Sequence, residues 1–246
     1  MSEARAQRGA VLSPTETAAF GFTVGRLDYG PGSDRSIDDV EADLAASDVD
    51  LVVLRYPAEN LEVAQRVFAS GRPSLMADTL MHFRWEPLLS GDTGGLRLRR
   101  LGPADGPLLD ELIAEVFPGY RNHYTSNPMT SHLDVVAGYQ EWARSFLEHP
   151  TKRAFAVESP TDENAGMCVV EPHGTHLESM LAGVRPRSRG RGAYQGVLQL
   201  QANWAVENGM SSMGILTQVW NTSAMRPMIR VGFLPEYALS TLHVMR

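Results

Sequence analysis

Apolar and polar residues alternate in short runs along most of the chain, and the period of that alternation divides it into elements. Residues 23–29 and 51–56 have the length and β-branched content of strands, and residues 75–85 continue the pattern over a longer span. Between them the apolar positions move to steps of three and four. That spacing predicts a helix over 37–46 with Ser36 as N-cap, and another over 60–69 closed by Gly71. Residues 1–14 show no period and read as a flexible tail. The stretch L-L-S-G-D-T-G-G at 88–95 has the turn residues of a linker. The chain is therefore expected to comprise a tail (1–14), an N-terminal α/β domain (15–88), a linker (89–95) and a second domain (96–246).

The second domain opens with a strand at 96–101 and a helix at 106–117, where Leu108, Leu109, Leu112, Ile113 and Val116 form one apolar stripe. A long polar loop at 118–131 precedes a helix at 133–147 and strands at 153–158, 166–171 and 176–184. A helix starts near Ala193, carries Val197, Leu200 and Trp204 on its apolar face and ends at Gly209. A strand at 213–219, a short helix at 221–231 and a strand at 237–244 complete the order. Pro227 is expected to fall in the first turn of that short helix, where few N–H groups are lost.

Between the strand ending at Val184 and the helix opening at Ala193, three arginines (Arg187, Arg189, Arg191) and two glycines (Gly190, Gly192) occur within six residues. Glycine lets the backbone turn tightly and aim several N–H groups at one point, and the helix beyond directs its positive end there too. Strand, basic glycine turn and helix form an anion cradle suited to a pyrophosphate. The formal charge of −7 argues against a nucleic-acid binder, so this basic cluster is local. The one cysteine, Cys168, excludes an intrachain disulfide and lies in the apolar run M-C-V-V, as a buried thiol would. No run approaches the ~20 apolar residues of a membrane span. A cytoplasmic protein without membrane or metal partners, monomeric or homodimeric, is expected.

The R-x-x-G-x-G spacing of Arg187, Gly190 and Gly192 resembles motif A of the Gcn5-related N-acetyltransferases, the loop that wraps the pyrophosphate of acetyl-CoA. The order β, α, α, β, β, β, glycine loop, α, β, α, β over 96–246 is similar to that fold. Asn221 and G-F-L-P at 232–235 stand where the family has its later landmarks. F-G-F-T-V-G-R-L at 20–27, D-L-V-V-L-R-Y-P-A-E-N at 50–60, Y-Q-E-W-A-R-S at 139–145 and L-T-Q-V-W-N at 216–221 resemble the dTDP-fucosamine acetyltransferase subgroup, whose members carry an N-terminal α/β half. The resemblance implies an α/β (α+β) fold of the acyl-CoA N-acyltransferase type behind a smaller α/β domain.

It also implies roles for residues. Acetyl-CoA, or another acyl-CoA, would be held by the cradle from Arg187 to Ala193. Ala182, Gly183 and Val184 would pair with the pantetheine arm, Val184 N–H meeting the thioester carbonyl. Asn221 would bond the pantetheine or cap the helix after it. Glu178 matches the family's base, and its even spacing from Val184 puts both on one face of the strand; His176, on the same face, is the reserve. The family's proton-donating tyrosine is replaced here by Met228, which leaves Tyr194, Tyr124 or Tyr237 as substitutes. The loop residues Tyr120, Arg121, His123, Tyr124 and Asn127 could recognise a polar acceptor. The expected activity is N-acetylation of a small polar amine, with a nucleotide-linked amino sugar foremost. A natural-product acyltransferase using a longer or carrier-protein-bound acyl group, and a non-catalytic CoA-binding domain, are the alternatives.

Overall fold

The computed structural model describes residues 8–190 and 192–246. Its elements are, in order, β1 (Val11–Leu12), α1 (Pro14–Phe20), β2 (Val24–Asp28), α2 (Val40–Ala45), β3 (Leu51–Pro57), α3 (Leu61–Ala69) and β4 (Ser74–Trp85). There follow β5 (Arg97–Arg100), α4 (Gly106–Val116), α5 (Val135–Arg144), β6 (Arg153–Ser159), β7 (Asp162–His173) and β8 (His176–Val184). The chain ends with α6 (Ala193–Glu207), β9 (Ser212–Gln218), α7 (Thr222–Val231) and β10 (Leu234–Met245). The α/β fold class read from the sequence is present.

Two compact units share the chain, one built from Met1–Leu80, Arg121–Leu133 and Tyr237–Arg246, the other from Met81–Tyr120 and Asp134–Glu236. In the first, the strands run in the order β1, β2, β3, β10, β4, with β2 parallel and β10 antiparallel to β3. Its main core joins Leu27, Leu54 and Tyr56 to Val40, Leu44, Val63 and Val67 of α2 and α3. Part of the expected tail belongs to this framework. Gly9 N–H reaches Asp43, Ala10 N–H reaches Ser47 Oγ at 2.8 Å, and β1 pairs with β2, so residues 9–12 are tied into the unit. The tail residues 1–7 lie outside the described residues.

In the second unit the order is β4, β9, β8, β7, β6, β5, antiparallel from β5 to β8 and parallel between β8 and β9. One face packs on α6 through Phe155, Cys168, Val170, Leu177, Val184, Val197 and Leu198, and the other on α4 and α5 through Leu109, Leu112, Ile113, Met167 and Val169. Pro227 stands in the interior of α7, not in its first turn. The missing N–H costs one intrahelical bond, and buried Met228 anchors the helix across that gap.

β8 carries an irregularity that shapes everything around it. Its ladder with β7 runs Val170↔Ser179 and then Val169↔Leu181, so Met180 is an extra residue opposite none. A bulge of this kind bends a strand and reverses the inward and outward alternation beyond it. Leu177, Ala182 and Val184 accordingly all meet the α6 face. Glu178 therefore faces opposite to Val184, and the one-face expectation from even spacing is corrected.

Candidate active site

The bulge coincides with a parting of strands. β8 and β9 pair from His176↔Ser212 to Ser179↔Ile215 and no further, although β8 continues to Val184 and β9 to Gln218. On the far side of β8, Arg185 N–H bonds Ala165 O at 2.8 Å. Since alternate residues of a strand address the same neighbour, the N–H groups of Ala182 and Val184 turn toward the side that β9 has left. The Val184 carbonyl there is taken by Arg189 Nε at 3.1 Å, which leaves its N–H for another partner. An extended, amide-bearing ligand can add to that edge as a strand would.

At the end of this edge the chain makes a short 3-10 turn, Pro186–Ser188, and enters α6. Gly190 and Gly192 have φ of +94° and +79°, the left-handed region that side chains other than glycine's disfavour. The turn closes with Ala193 N–H on Gly190 O at 2.9 Å, and the remaining first-turn N–H groups of α6 have no partner within the helix. The local backbone thus fits a pyrophosphate at this helix start.

The arginines of the loop have separate duties. Arg187, exposed, forms an ion pair with Asp162 at 2.9 Å, and its hydrogen bonds hold the Asp162 carboxyl far below the usual range. Arg189 also reaches Val116 O at 3.2 Å and so ties the strand end to α4. Arg191 lies outside the described residues. Arg185, which sequence reasoning passed over, is buried and gripped by Glu111 and Glu115 of α4. Two acidic residues four apart on one helix face were the available signal.

Where β8 and β9 still pair, five ionisable side chains converge, His176, Glu178, His82, Glu236 and Arg84. His176 Nδ1 is 2.8 Å from Ser212 Oγ and its Nε2 is 3.2 Å from Glu178 Oε2. Arg84 donates to Ser212 Oγ at 3.3 Å, so the serine hydroxyl in turn donates to His176 Nδ1, and Nε2–H donates to Glu178. His82 Nε2 is 3.7 Å from the same carboxylate oxygen, while its Nδ1 is 2.9 Å from Glu236 Oε2. Burial alone would raise the Glu178 carboxyl, but the His176 and His82 imidazoles outweigh it and hold the group below its ordinary value. Glu178 and His176 are thus brought together as the sequence reading paired them, and His82 and Glu236 were missed. His82 comes from β4, before the expected linker, with no local pattern to mark it.

Tyr120 closes the other end of β9. Its hydroxyl donates to Gln218, and Asn221 Nδ2 approaches its oxygen at 3.5 Å. Asn221 occupies the N-cap position of α7, yet its side chain bonds Thr217 Oγ1 at 3.0 Å and accepts from Ser223 instead of capping the helix. Tyr194 packs beside the α6 core, where burial pushes its hydroxyl up, as it does the Cys168 thiol. Met228 is fully enclosed in the same core.

Arg121, His123, Tyr124, Asn127 and Tyr237 belong to the first unit. His123 and Tyr124 are not presented as an open recognition loop. His123 is buried with Nδ1 2.8 Å from His243 Nε2, and the Tyr124 hydroxyl is bound to Glu16, which also pairs with Arg26. Asn127 Oδ1 accepts from Met129 N–H, which fixes its amide, and Nδ2 meets His243 Nδ1 at 2.9 Å. Aromatic and histidine side chains in a polar stretch looked like ligand groups, but they are the residues by which 121–133 packs into its own unit. A cavity of about 390 Å³ lined by Arg100, Arg153, Phe155 and Trp204 opens near the last turns of α6, at the opposite end of that helix from Gly192, so it is separate from the cradle.

Neither a family model nor a curated protein sequence matches the chain. Solved structures do. A GCN5-related N-acetyltransferase from Sphaerobacter thermophilus aligns with a TM-score of 0.56 at 16% identity over 78% of this chain, which spans 59% of that protein's length. A GCN5-related N-acetyltransferase from Kribbella flavida aligns at 0.57 and 12% identity, covering 90% of this chain and 81% of the other. A tandem GNAT protein from the clavulanic acid biosynthesis pathway aligns at 0.52 and 15% identity, covering 90% and 75%. The chain has the GNAT fold. Among the described residues no helix is long and apolar enough to cross a membrane.

Proposed function

We propose that this GNAT-fold chain transfers an acyl group, acetyl in the simplest case, from coenzyme A to the amine of a small polar acceptor. The observation that carries the reading is the parting of β8 from β9 after Ser179, with the glycine turn and the start of α6 at the end of the exposed edge. Bound acetyl-CoA would supply the acyl group as an activated thioester. Ala182 and Val184 N–H would hold the arm that carries it, Val184 nearest the carbonyl, and the residues from Arg187 to Ala193 would hold its phosphates. Glu178, anionic and partly exposed, would attract and orient an acceptor ammonium, with His176 fixing the carboxylate. Tyr120, beside Asn221, is the hydroxyl we assign to the departing sulfur in place of Met228.

The whole-chain likeness to dTDP-fucosamine acetyltransferases makes a nucleotide-linked amino sugar the first acceptor to try. The test is a calorimetric titration with acetyl-CoA, then thiol release on a panel of amino sugars, polyamines and other amines. Longer and carrier-bound acyl groups serve as further donors. Binding with turnover on an amine supports the reading; no binding of any acyl-CoA or acyl carrier overturns it, and binding without turnover on any amine leaves the chain a CoA-binding domain.

A further inference from the structure

The cavity at the far end of α6 from Gly192 is formed by one sheet face and the end of that helix. Arg100 of β5 pairs with Phe155 of β6 in the ladder, and Arg153 lies two residues before Phe155, so all three side chains leave the sheet on the same face. It is the α6 face, where buried Phe155 meets the Trp204 ring edge to face at 5.6 Å. The helix ends one turn later. Asn208 Nδ2 donates to Trp204 O at 2.7 Å, and Gly209, with φ of +76°, turns the chain toward β9. Where the helix stops, a cavity of about 390 Å³ is left, whose lining includes Arg100, Arg153, Phe155, Pro172, Trp204 and Met210.

The positive charge of this lining is uncompensated. Arg153 Nη1 donates to the carbonyls of Pro150 and Lys152 at 3.0 and 2.7 Å, and neither Arg153 nor Arg100 has a carboxylate partner among the described residues. Carboxylates on the same strands and beside them are taken, Glu171 of β7 by Lys152 at 2.9 Å, Glu158 and Asp105 by Arg99 at 3.2 Å each. Partial burial, and after it the charge of Arg100, hold the Arg153 guanidinium below its ordinary value. The C-terminal end of α6 offsets the two cations only in part, since a helix end carries about half a charge. Two guanidinium groups beside an apolar wall call for an anion, and their planar forks match a carboxylate. The wall, an indole, a proline ring and a thioether, suits a flat apolar ring.

We propose that this cavity binds a small aromatic carboxylate, its charge held by Arg100 and Arg153 and its ring laid against Trp204, Pro172 and Met210. The volume stands near the lower end of the roughly 300–1,000 Å³ of ligand clefts, room for one ring with a short acidic arm. The inference is independent of the acyl-transfer reading. The phosphate cradle lies at the first turn of α6 and the cavity at its last, so both sites can be filled at once.

Phenylacetate is the probe. Calorimetric titration of the full chain is expected to show saturable binding at one site, about tenfold tighter than phenylacetamide, which keeps the ring without the charge, and than butyrate or inorganic phosphate, which keep a charge without the ring. Arg100→Gln and Arg153→Gln should each weaken phenylacetate by about tenfold. Arg97→Gln, on the same strand but outside the cavity, should leave it unchanged. Arg100 is exposed, so its substitution spares the fold, and thermal unfolding checks the Arg153 variant. In nitrogen-15 spectra the indole N–H of Trp204, assigned through Trp204→Phe, should shift on binding, and saturating acetyl-CoA should leave the phenylacetate affinity as it was. Absence of saturable binding overturns the proposal, and so does binding that survives both arginine substitutions or is matched by phenylacetamide, butyrate or phosphate. Displacement of phenylacetate by acetyl-CoA would place it in the cradle and overturn the proposal as well. A chain that binds phenylacetate through Arg100 and Arg153 but takes no acyl-CoA sinks the acyl-transfer reading alone.

Discussion

Glu178 and Gly214 face each other in the β8–β9 register, and a Cβ placed on residue 214 would stand 2.4 Å from Glu178 Oε2 and 2.9 Å from His176 Nε2. The atoms it meets are the ends of side chains, which can swing away at low cost to the fold. Gly214→Ala is therefore expected to cost no more than about 1.5 kcal/mol of stability yet to scatter the carboxylate and imidazoles. Turnover should fall at least tenfold while acetyl-CoA binds as before. Unchanged turnover would show that this cluster does not serve the reaction.

The cradle is expected to work through its backbone more than through its arginines. Arg187 is exposed and already paired with Asp162, so a phosphate must compete for it. Removing an exposed ion pair changes little, and Arg187→Ala should weaken acetyl-CoA binding only slightly. Gly192→Ala forces a side chain into a left-handed residue at the start of α6, a strain of about 1–2 kcal/mol, and shifts the N–H groups proposed to meet the phosphates. Calorimetric titration should rank Gly192→Ala as the weaker binder; the reverse order would assign the recognition to the guanidinium.

In the first unit, burial drives His123 well down and His243 to about 4, from an ordinary value near 6.5. The amide of Asn127 donates to His243 Nδ1, which leaves Nε2–H to donate to His123 Nδ1, so the native chain of bonds needs both rings neutral. The unfolded chain takes up protons on both rings below about pH 6.5, whereas folded His243 does so only near 4 and His123 is likewise held down. Their contribution is thus fully present above 6.5 and is lost as pH falls through that interval, by up to about 3 kcal/mol for His243. Urea unfolding between pH 7 and 4.5 should show the decline, and His243→Gln should flatten it. A wild-type curve that is level over the window would contradict the assignment.

What could be read from the sequence was local. The glycine turn is written in eight adjacent residues, and the stripe of α4 in one helical period, so both were visible as patterns. The bulge at Met180 was not, because H-L-E-S-M-L-A-G-V contains no residue that demands an irregular backbone; the ladder with β7 imposes it. The pairing of Glu178 with His82 spans 96 residues and depends on β4 lying beside β9. Arg185 drew no attention in the sequence, and only the approach of α4 makes it the buried partner of Glu111 and Glu115. His123 and Tyr124 misled for the opposite reason, since the side chains that recognise ligands are also those that fill half-polar interiors.

If the chain transfers an acyl group as proposed, buried Met228 cannot protonate the departing sulfur, and Tyr120, whose phenolic oxygen lies 3.5 Å from Asn221 Nδ2, is the group assigned to that step. The ring is fixed by Phe117 and Tyr139, with centroids 5.7 and 6.2 Å away, so Tyr120→Phe should keep its position. Stability is expected to change by about 0.5–1.5 kcal/mol, the worth of one hydrogen bond to Gln218. If the hydroxyl protonates sulfur, kcat should fall ten- to 100-fold, while acetyl-CoA affinity holds. The loss should shrink with acyl donors whose leaving thiol is more acidic, because such a sulfur needs less help. A uniform loss across donors would instead mark Tyr120 as a packing residue at the end of β9, and full activity would move the proton to water.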